Sequence, residues 1–501
     1  MRHVVGTSSA SVSAGGSSAP GGSGAARGSI AAAGGVGAGG AAVEAVPAGL
    51  WNAHGFAVFN ALSWQIVLGP PVILFAKGLG ASATVLGVIT ALTPLLVVLQ
   101  IPAAYVLPRY GYRRLTLMGW GLRTLAVAGL AGVPLLGMTG VGAAVQLALV
   151  LGLLLVFNTL RGFASGAWMP WLTEIVPAVY RARFLARDNF FANVGSLMSL
   201  GVAAMLLVSS SEPRPWQYSL VFAFAAAMGV VSLVFLSRIP DVSTPERMRS
   251  SGHPLPWRHM LLWGPFLRIA AFVGAWVAVT GGLGTFTVAY LRAEAGYSDS
   301  DVLLLSGMTL LGALATVWMG GRLCEVWDSP RVLRVCVLGL LAAVAGWAAV
   351  AMKLLPASAA VVVGLNLLSG AAGVNFQVAS QRLTMATFPL MGRNHFFALY
   401  SVITSLVLGA SPIVWGVLLD LIGNRTLSLG GVVVGRYAAL FVAAAGVLAV
   451  AAAMVSRLPQ GPPHNPPHNP PHHPAHPPHT TAAPPGADAP AAAPASPAAG
   501  R

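Results

Sequence analysis

The chain has 501 residues, of which 56% are hydrophobic and only 8% are charged, and its mean hydropathy is +0.75. Because soluble domains carry about 25% charged residues, this composition excludes a soluble globular protein. The formal net charge of +15 does not indicate nucleic-acid binding, because the arginines lie in short gaps between apolar runs rather than along one soluble face.

The apolar runs are long enough to cross a membrane, since roughly 20 helical residues span about 30 Å of hydrocarbon. Lipid offers the backbone no hydrogen-bond partners, so runs without the alternation of a closed barrel must be helices. Twelve such runs follow one another, at 54–76, 84–107, 115–137, 143–175, 189–210, 217–237, 265–291, 302–323, 332–355, 358–381, 396–419 and 435–456. The sequence therefore predicts an all-α membrane protein with twelve transmembrane helices, numbered helix 1 to helix 12.

The segments around these helices differ in composition. Residues 1–50 are rich in Gly, Ala and Ser, which predicts a disordered N-terminal tail. We expect one six-helix bundle at 51–240, a cytoplasmic linker at 241–263 and a second six-helix bundle at 264–457. Residues 458–501 are rich in Pro and His, and we expect a disordered, polyproline-like tail there rather than a metal-binding one.

The positive charges are distributed unequally between the two sets of loops. If the N-terminus is cytoplasmic, the cytoplasmic gaps contain most of the arginines, whereas the opposite gaps contain only Lys77, Arg214, Arg292, Lys353, Arg425 and Arg436. Short loops rich in Lys and Arg stay in the cytoplasm. This asymmetry predicts a multi-pass protein of the inner (plasma) membrane with both termini cytoplasmic.

A repeated motif connects the two halves of the chain. The stretch "IVPAVYRARFLA" contains Pro177 and Arg181, and "TFPLMGRNHFFA" contains Pro389 and Arg393 at the matching positions. Each proline ends a predicted helix, because it lacks a backbone donor and clashes with the preceding turn. Six predicted helices separate the two copies, and an even number places both on the same side of the membrane. The sequence therefore predicts two pseudo-symmetric six-helix bundles related by a parallel repeat.

These features resemble the major facilitator superfamily over about residues 50–457. The family signature between helices 2 and 3 is Gly-x-x-x-Asp-x-x-Gly-x-Arg-Arg. The first copy here, "AYVLPRYGYRR", keeps Gly111, Arg113 and Arg114 but has Ala104 and Pro108 in place of the first Gly and the acid. The second copy, "GRLCEVWDSPR", keeps Gly321, Glu325 and Arg331 but has Asp328 in place of the second Gly.

The resemblance implies a latch at the cytoplasmic ends of the helices, in which acids pair with arginines and hold one conformational state. Glu325 with Arg393 is the implied pair in the second half. In the helix 4 signature, "LRGFASGAWMPWLTEIVPAVYR" supplies Glu174 and Arg181. The implied latch set is Arg113, Arg114, Glu174, Arg181, Glu325, Arg331 and Arg393. The alternative for each residue is an ordinary solvated loop charge.

Arg161 is the charged residue predicted deepest in the membrane, about 24 Å from Pro177 at 1.5 Å per residue. A charge at that depth costs several kcal/mol unless it meets water or a partner, so Arg161 either lines a central cavity or bonds to backbone carbonyls of neighbouring helices. Arg123 lies closer to its loop and is predicted to snorkel or pack structurally.

The resemblance implies a cavity lined by helices 1, 4, 7 and 10. The predicted substrate-cavity set is Asn60, Gln65, Asn158, Arg161, Trp276, Thr280, Asn375 and Gln377, and hydrogen bonding between helices is the alternative for each polar member.

No acidic residue is predicted at mid-membrane, where a proton-coupled transporter commonly carries a buried carboxylate. Glu174 and Asp188 are the nearest candidates, within reach of cytoplasmic arginines. Uniport, coupling to an ion and exchange of anions around Arg161 therefore stay open. No cofactor, metal site or nucleic-acid partner is predicted, and we expect a monomer whose partners are the lipid bilayer and a small-molecule solute.

The leading hypothesis is a secondary transporter that moves a small polar organic solute, neutral or anionic, by alternating access. The alternative is a non-transporting membrane receptor or assembly factor that retains the fold, which the altered first signature favours. An intramembrane enzyme ranks last, because the sequence contains no HExxH or GxSxG motif and no paired buried carboxylates.

Overall fold

The computed structural model describes residues 49–176, 181–208, 213–241, 261–388, 393–429 and 432–458. Apart from the residues next to the helices, both predicted tails and most of the predicted linker lie outside these ranges. Twelve described helices are long and apolar enough to cross a membrane. The predicted number of helices is therefore confirmed.

The helices follow the predicted order. Helix 1 consists of Trp51–Leu68 and Pro70–Gly78, and helix 2 consists of Ala83–Leu95, a 3-10 turn at Leu96–Leu99, and Gln100–Tyr110. The other helices are helix 3 (Tyr112–Met138), helix 4 (Ala143–Ile175), helix 5 (Arg181–Leu206), helix 6 (Pro215–Ser237), helix 7 (Gly264–Ala293), helix 8 (Asp299–Val326), helix 9 (Ser329–Ala351), helix 10 (Ala359–Thr387), helix 11 (Arg393–Ile422) and helix 12 (Arg436–Met454). Between helices 11 and 12, strands β1 (Leu427–Leu429) and β2 (Val432–Val434) pair antiparallel, with Leu427 opposite Val434.

Packing within the two halves follows the same plan. In the first half, helix 1 contacts helices 5 and 6, helix 3 contacts helices 4 and 6, and helix 2 contacts helix 4. In the second half, helix 7 contacts helices 11 and 12, helix 9 contacts helices 10 and 12, and helix 8 contacts helix 10. Adding six to each helix number converts the first set of contacts into the second. This correspondence is what a parallel duplication predicts, and the predicted fold class is confirmed.

The two halves meet through helix 2 against helix 11 and helix 5 against helix 8. We call the end of the bundle where helix 1 begins and helix 12 ends the terminal face, and the opposite end the distal face. Helices 2 and 11 approach closely toward the distal face, because Gly87 lies against the carbonyl of Pro412 and Gly416 lies against the carbonyl of Ala83. A Cβ atom at either glycine would overlap the facing backbone, as is typical of small-residue contacts between membrane helices.

Two helices are interrupted by proline, where the sequence predicted continuous helices. Helix 1 breaks at Gly69, whose backbone is extended (φ −107°, ψ −162°), and Pro70 starts the second segment. Proline fits the first turn of a helix but cannot continue one. In helix 2, Pro94 lies two residues before the start of the 3-10 turn at Leu96. Gly69, Pro70 and Pro94 line the two cavities described below.

Candidate substrate cavity

A crevice between the two halves contains two adjoining cavities. The arginine cavity, of about 470 Å³, lies between the middle of the bundle and the terminal face. The distal cavity, of about 500 Å³, lies nearer the distal face. The two cavities share Leu68, Thr90, Thr280 and Gly281 in their walls. The two cavities therefore adjoin, and together they extend past the middle of the bundle.

Arg161 projects into the arginine cavity from helix 4, about four turns before the helix ends. Gly162 lies against the carbonyl of Leu96, so helix 4 packs directly on the 3-10 turn of helix 2. One turn further along, Ser165 accepts a hydrogen bond from Gln100 Nε2 at 2.9 Å. Within the described part of the chain, Arg161 has no hydrogen-bond or ion-pair partner. Its guanidinium donors therefore face the cavity.

A second arginine lines the same cavity. Arg123 of helix 3 is 3% exposed and donates a hydrogen bond to the Asn60 Oδ1 atom. Its guanidinium carbon lies 4.6 Å from the centre of the Trp120 ring and 5.2 Å from that of Phe157. Trp120 Nε1 donates to the same Asn60 oxygen at 3.3 Å. Aromatic faces and a carbonyl oxygen stabilise this cation without neutralising its charge.

No acidic residue lines either cavity within the described part of the chain. The walls instead supply hydroxyl and amide groups, which include Gln65, Thr90, Thr280, Thr285, Thr309 and Asn366. Thr90 and Thr285 hydrogen bond to each other at 2.7 Å across the two halves, and Thr309 donates to Asn366 at 3.2 Å. The walls of the crevice are mostly apolar, and these hydroxyl, amide and guanidinium groups supply its donors, acceptors and positive charge.

The two halves are hydrogen bonded to each other at the distal face. Asp420, at the end of helix 11, accepts hydrogen bonds from the backbone N–H groups of Ala83 and Thr84 at 3.0 and 2.8 Å, and so caps helix 2 of the other half. Asp299 accepts a hydrogen bond from Tyr218 and forms an ion pair with Arg292 at 2.7 Å. Every hydrogen bond between described residues of the two halves lies toward this face.

Sequence comparison identifies the family. The major facilitator superfamily profile matches residues 55–366, which is more than half of the chain. The chain belongs to the major facilitator superfamily. This membership confirms the predicted resemblance and the prediction of a multi-pass membrane transporter rather than an enzyme. No curated protein is similar enough to this sequence for a significant match.

Solved structures of the superfamily share the fold. A D-xylose–proton symporter superimposes with a TM-score of 0.65 at 15% identity, covering 82% of this chain and 99% of that protein. The nucleoside transporter NupG gives a TM-score of 0.59 at 11% identity, with 82% and 99% coverage. The xylose transporter XylE from E. coli, in an inward-open conformation, gives 0.60 at 15% identity, with 83% and 97% coverage. At these identities the similarity shows the fold alone.

The structure divides the predicted substrate-cavity set of this superfamily member. Asn60, Gln65, Arg161 and Thr280 line the cavities. Asn158, Trp276 and Asn375 are buried in contacts between helices: Asn158 accepts from Thr93 at 2.8 Å, Trp276 stacks on Phe376 at 3.7 Å, and Asn375 donates to Thr316 at 3.2 Å. Gln377 is exposed and lines neither cavity. It nevertheless shares one face of helix 10 with Asn366, Gly370 and Gly373, because these positions are three or four residues apart.

Sequence reasoning missed part of the arginine cavity. Arg123 was predicted to be structural, and Ser165 and Trp168 were not predicted at all, yet all three lie in the cavity wall. Ser165 and Trp168 follow Arg161 at intervals of four and seven residues. That spacing places them on the same face of helix 4 as Arg161, so the sequence carried a signal for both residues.

The predicted latch residues lie at the terminal face. Arg113 donates to the carbonyl of Ser237, which ties helix 3 to helix 6 within the first half. Arg114, Glu174 and Arg331 are exposed. The side chains of Arg181, Glu325 and Arg393 lie outside the described part of the structure. The latch therefore stays a prediction.

The buried His54 of helix 1 and the partly buried Asp188 of helix 5 lie side by side on the terminal side of the first half. His54 Nδ1 lies 3.6 Å from Asp188 Oδ1, and the His54 ring stacks on Phe184 with 4.7 Å between ring centres. The sequence had indicated arginines as the partners of Asp188. Among the described residues the basic group next to Asp188 is His54; the side chains of Arg181 and Arg183 are not described, so the arginine partners stay a prediction.

Proposed function

We propose that this superfamily member moves a small polar organic solute through the crevice by alternating access, and that the described conformation is open toward the terminal face. The position of the bonds between the halves carries this proposal. They cluster toward the distal face, whereas the arginine cavity lies on the terminal side of them. A solute would therefore reach Arg161 from the terminal face.

The terminal face is assigned to the cytoplasm by charge. Exposed arginines at this face include Arg109, Arg114 and Arg331, which lie at helix ends next to short gaps between helices. The positive-inside rule places such gaps in the cytoplasm. We therefore infer that both termini are cytoplasmic and that the described conformation is inward-open, and we propose the inner (plasma) membrane as the location of the protein.

Transport requires the opposite arrangement to form as well. Closure of the terminal face would bring the two halves together around the solute, while the Asp420 cap and the Tyr218–Asp299 bond at the distal face break. We expect Glu325 with Arg393, and Glu174 with Arg181, to stabilise the closed terminal face. A solute shifts this equilibrium only if it binds the closed arrangement more tightly than the open one.

Inside the cavity, each side chain has a defined task. Thr280 stands where the two cavities join and Gln65 lines the distal cavity, so they offer a hydroxyl and an amide to solute polar groups. Asn60 uses its carbonyl oxygen for Arg123 and Trp120, which leaves its Nδ2 group as a donor. Arg161 supplies charge-assisted hydrogen bonds.

Counterflow into proteoliposomes tests the proposal. The purified chain is reconstituted in vesicles preloaded with one unlabelled solute, and uptake of the labelled solute is followed for sugars, nucleosides, organic acids and amino acids. We expect saturable, trans-stimulated uptake of at least one solute class, unaffected by ionophores if the protein is a uniporter or exchanger. Solute binding without flux for any member of the panel would instead favour the receptor alternative.

A further inference from the structure

We infer that the transported solute is an organic anion: a carboxylate on a flat, apolar body, bound by Arg161. This inference rests on the proposed function and identifies the substrate class of the same site. Charge, free hydrogen-bond donors and cavity shape support it separately.

The first argument is charge balance. Arg123 and Arg161 share the wall of the arginine cavity, and no acidic residue of the described chain lines that cavity. Two like charges in a medium of reduced dielectric repel each other, and each is costly inside a membrane unless it contacts water or a counter-charge. While the crevice is open, water supplies that stabilisation. When the crevice closes and excludes water, an anionic solute can replace it, whereas a neutral or cationic solute cannot.

The second argument separates the roles of the two arginines. Arg123 is held by Asn60 and by the ring faces of Trp120 and Phe157, so it contributes a fixed background charge. Arg161 has no hydrogen-bond acceptor within the described part of the chain, although a guanidinium carries five N–H donors in a planar fork. That fork matches the two oxygens of a carboxylate. Arg161 is therefore the residue that contacts the anionic group.

The third argument is the shape of the remaining wall. Phe56, Trp64, Trp120 and Trp168 surround the arginine cavity, and Phe56 lies 4.8 Å from Trp168 between ring centres. Flat aromatic walls favour a planar apolar group, which gains area and ring contacts there. A volume of about 470 Å³ falls within the roughly 300–1,000 Å³ typical of small-molecule sites.

Matched ligands on the purified full-length chain test this assignment. Benzoate, phenylacetate and indole-3-acetate are each paired with the corresponding neutral amide, and their binding is measured by equilibrium dialysis at pH 7.5. We expect at least one acid to bind, with its amide weaker by about 10-fold or more, because the amide loses the charge-assisted pair. Binding of an amide as tight as its acid, or binding of none of the acids, would overturn the assignment.

Variants then place the anion at Arg161. Arg161→Gln should weaken binding of the acid about 10- to 100-fold, whereas Arg161→Lys, which keeps the charge but not the fork, should lose less. Arg109→Gln removes an exposed arginine at the terminal face and should bind as the wild type does. Size-exclusion profiles establish folding for each variant, and the Lys variant keeps the test valid if the Gln variant does not fold. Wild-type affinity in folded Arg161→Gln would overturn the role of Arg161.

Counterflow separates this inference from the proposed function. Benzenesulfonate, whose charge does not titrate and which crosses bilayers poorly, serves as the labelled probe. Arg161-dependent counterflow of benzenesulfonate supports both claims. Counterflow of a neutral solute that does not depend on Arg161 would leave the transporter intact and refute the anion assignment. Arg161-dependent binding of an acid without flux of any solute would support the anion site and refute transport.

Discussion

Removal of the Asp420 carboxylate should open the distal face. Asp420 accepts two backbone hydrogen bonds from helix 2 of the other half, at 3.0 and 2.8 Å from Ala83 and Thr84. Buried hydrogen bonds to a charged group contribute about 1.5–3 kcal/mol each. Because Asp420 is exposed, solvent screens its bonds, and we take about 1 kcal/mol for each of them. Asp420→Ala should therefore shift the equilibrium toward the distally open form by about 2 kcal/mol, or roughly 30-fold.

Thiol labelling measures this shift. Ser306 lines the distal cavity and hydrogen bonds only within its own helix, so it can be replaced by cysteine. In a protein whose native Cys324 and Cys336 have been replaced, labelling of Ser306→Cys reports access to the cavity from the distal side. With a membrane-impermeant maleimide added on that side, labelling should accelerate by roughly the same factor in Asp420→Ala. Asp301→Ala is the matched control, because Asp301 bonds Ser298 within the second half at the same face. Equal labelling rates in the two variants would refute the reasoning.

Two further substitutions test packing and site assignment. Gly87→Ala should destabilise the protein by about 1–3 kcal/mol, because its new methyl group overlaps the Pro412 carbonyl. The control is Gly121→Ala, in helix 3 with open space around it, which should be neutral. An equal loss in melting temperature for the two variants would count against the helix 2–helix 11 contact. Asn158→Ala should lower thermal stability by about 1–2 kcal/mol, because Thr93 loses its acceptor, and should leave solute affinity unchanged. A large loss of affinity without a loss of stability would place Asn158 in the cavity instead.

The number and order of the helices could be predicted from the sequence because lipid imposes a minimum length on an apolar run. The observed helix 4, Ala143–Ile175, coincides with the predicted run 143–175. The duplication could also be predicted, because Pro177 and Pro389, which lie outside the described residues, occupy matching positions in the sequences of the two halves. The break at Gly69–Pro70 escaped prediction, although two consecutive prolines within an apolar run are a recognisable signal.

The side chains that face the crevice were harder to predict. A membrane helix contacts lipid on one face and other helices on the rest, so apolar residues occur all around it. The sequence therefore carries little information on which face of the helix is turned toward the crevice. Asn158 and Asn60 are both amides in long apolar runs, yet Asn158 bonds Thr93 whereas Asn60 lines the cavity. Arg161 could be predicted because a deep charge requires water or a partner. Arg123 could not, because its shallower position also allows snorkelling.

Tertiary contacts decide the role of the acidic residues as well. Asp299 precedes the predicted helical run 302–323, and its neighbours in the sequence do not identify a partner for it. The structure buries it between Arg292 and Tyr218, so it joins the two halves. No local signal distinguishes this position from that of the exposed Asp301, because the partner Tyr218 belongs to another helix.

Distances at the two faces of the membrane test the central claim, that two six-helix halves move around one crevice. Spin labels at Gly80 and Asn424 report separation at the distal face, and labels at Tyr110 and Trp327 report separation at the terminal face. Double electron–electron resonance on the reconstituted protein should give a narrow, short distal distance and a long terminal distance without solute. Saturating concentrations of a solute identified by counterflow should lengthen the first distance and shorten the second. Two distances that stay unchanged with that solute, or that move in the same direction, would contradict alternating access.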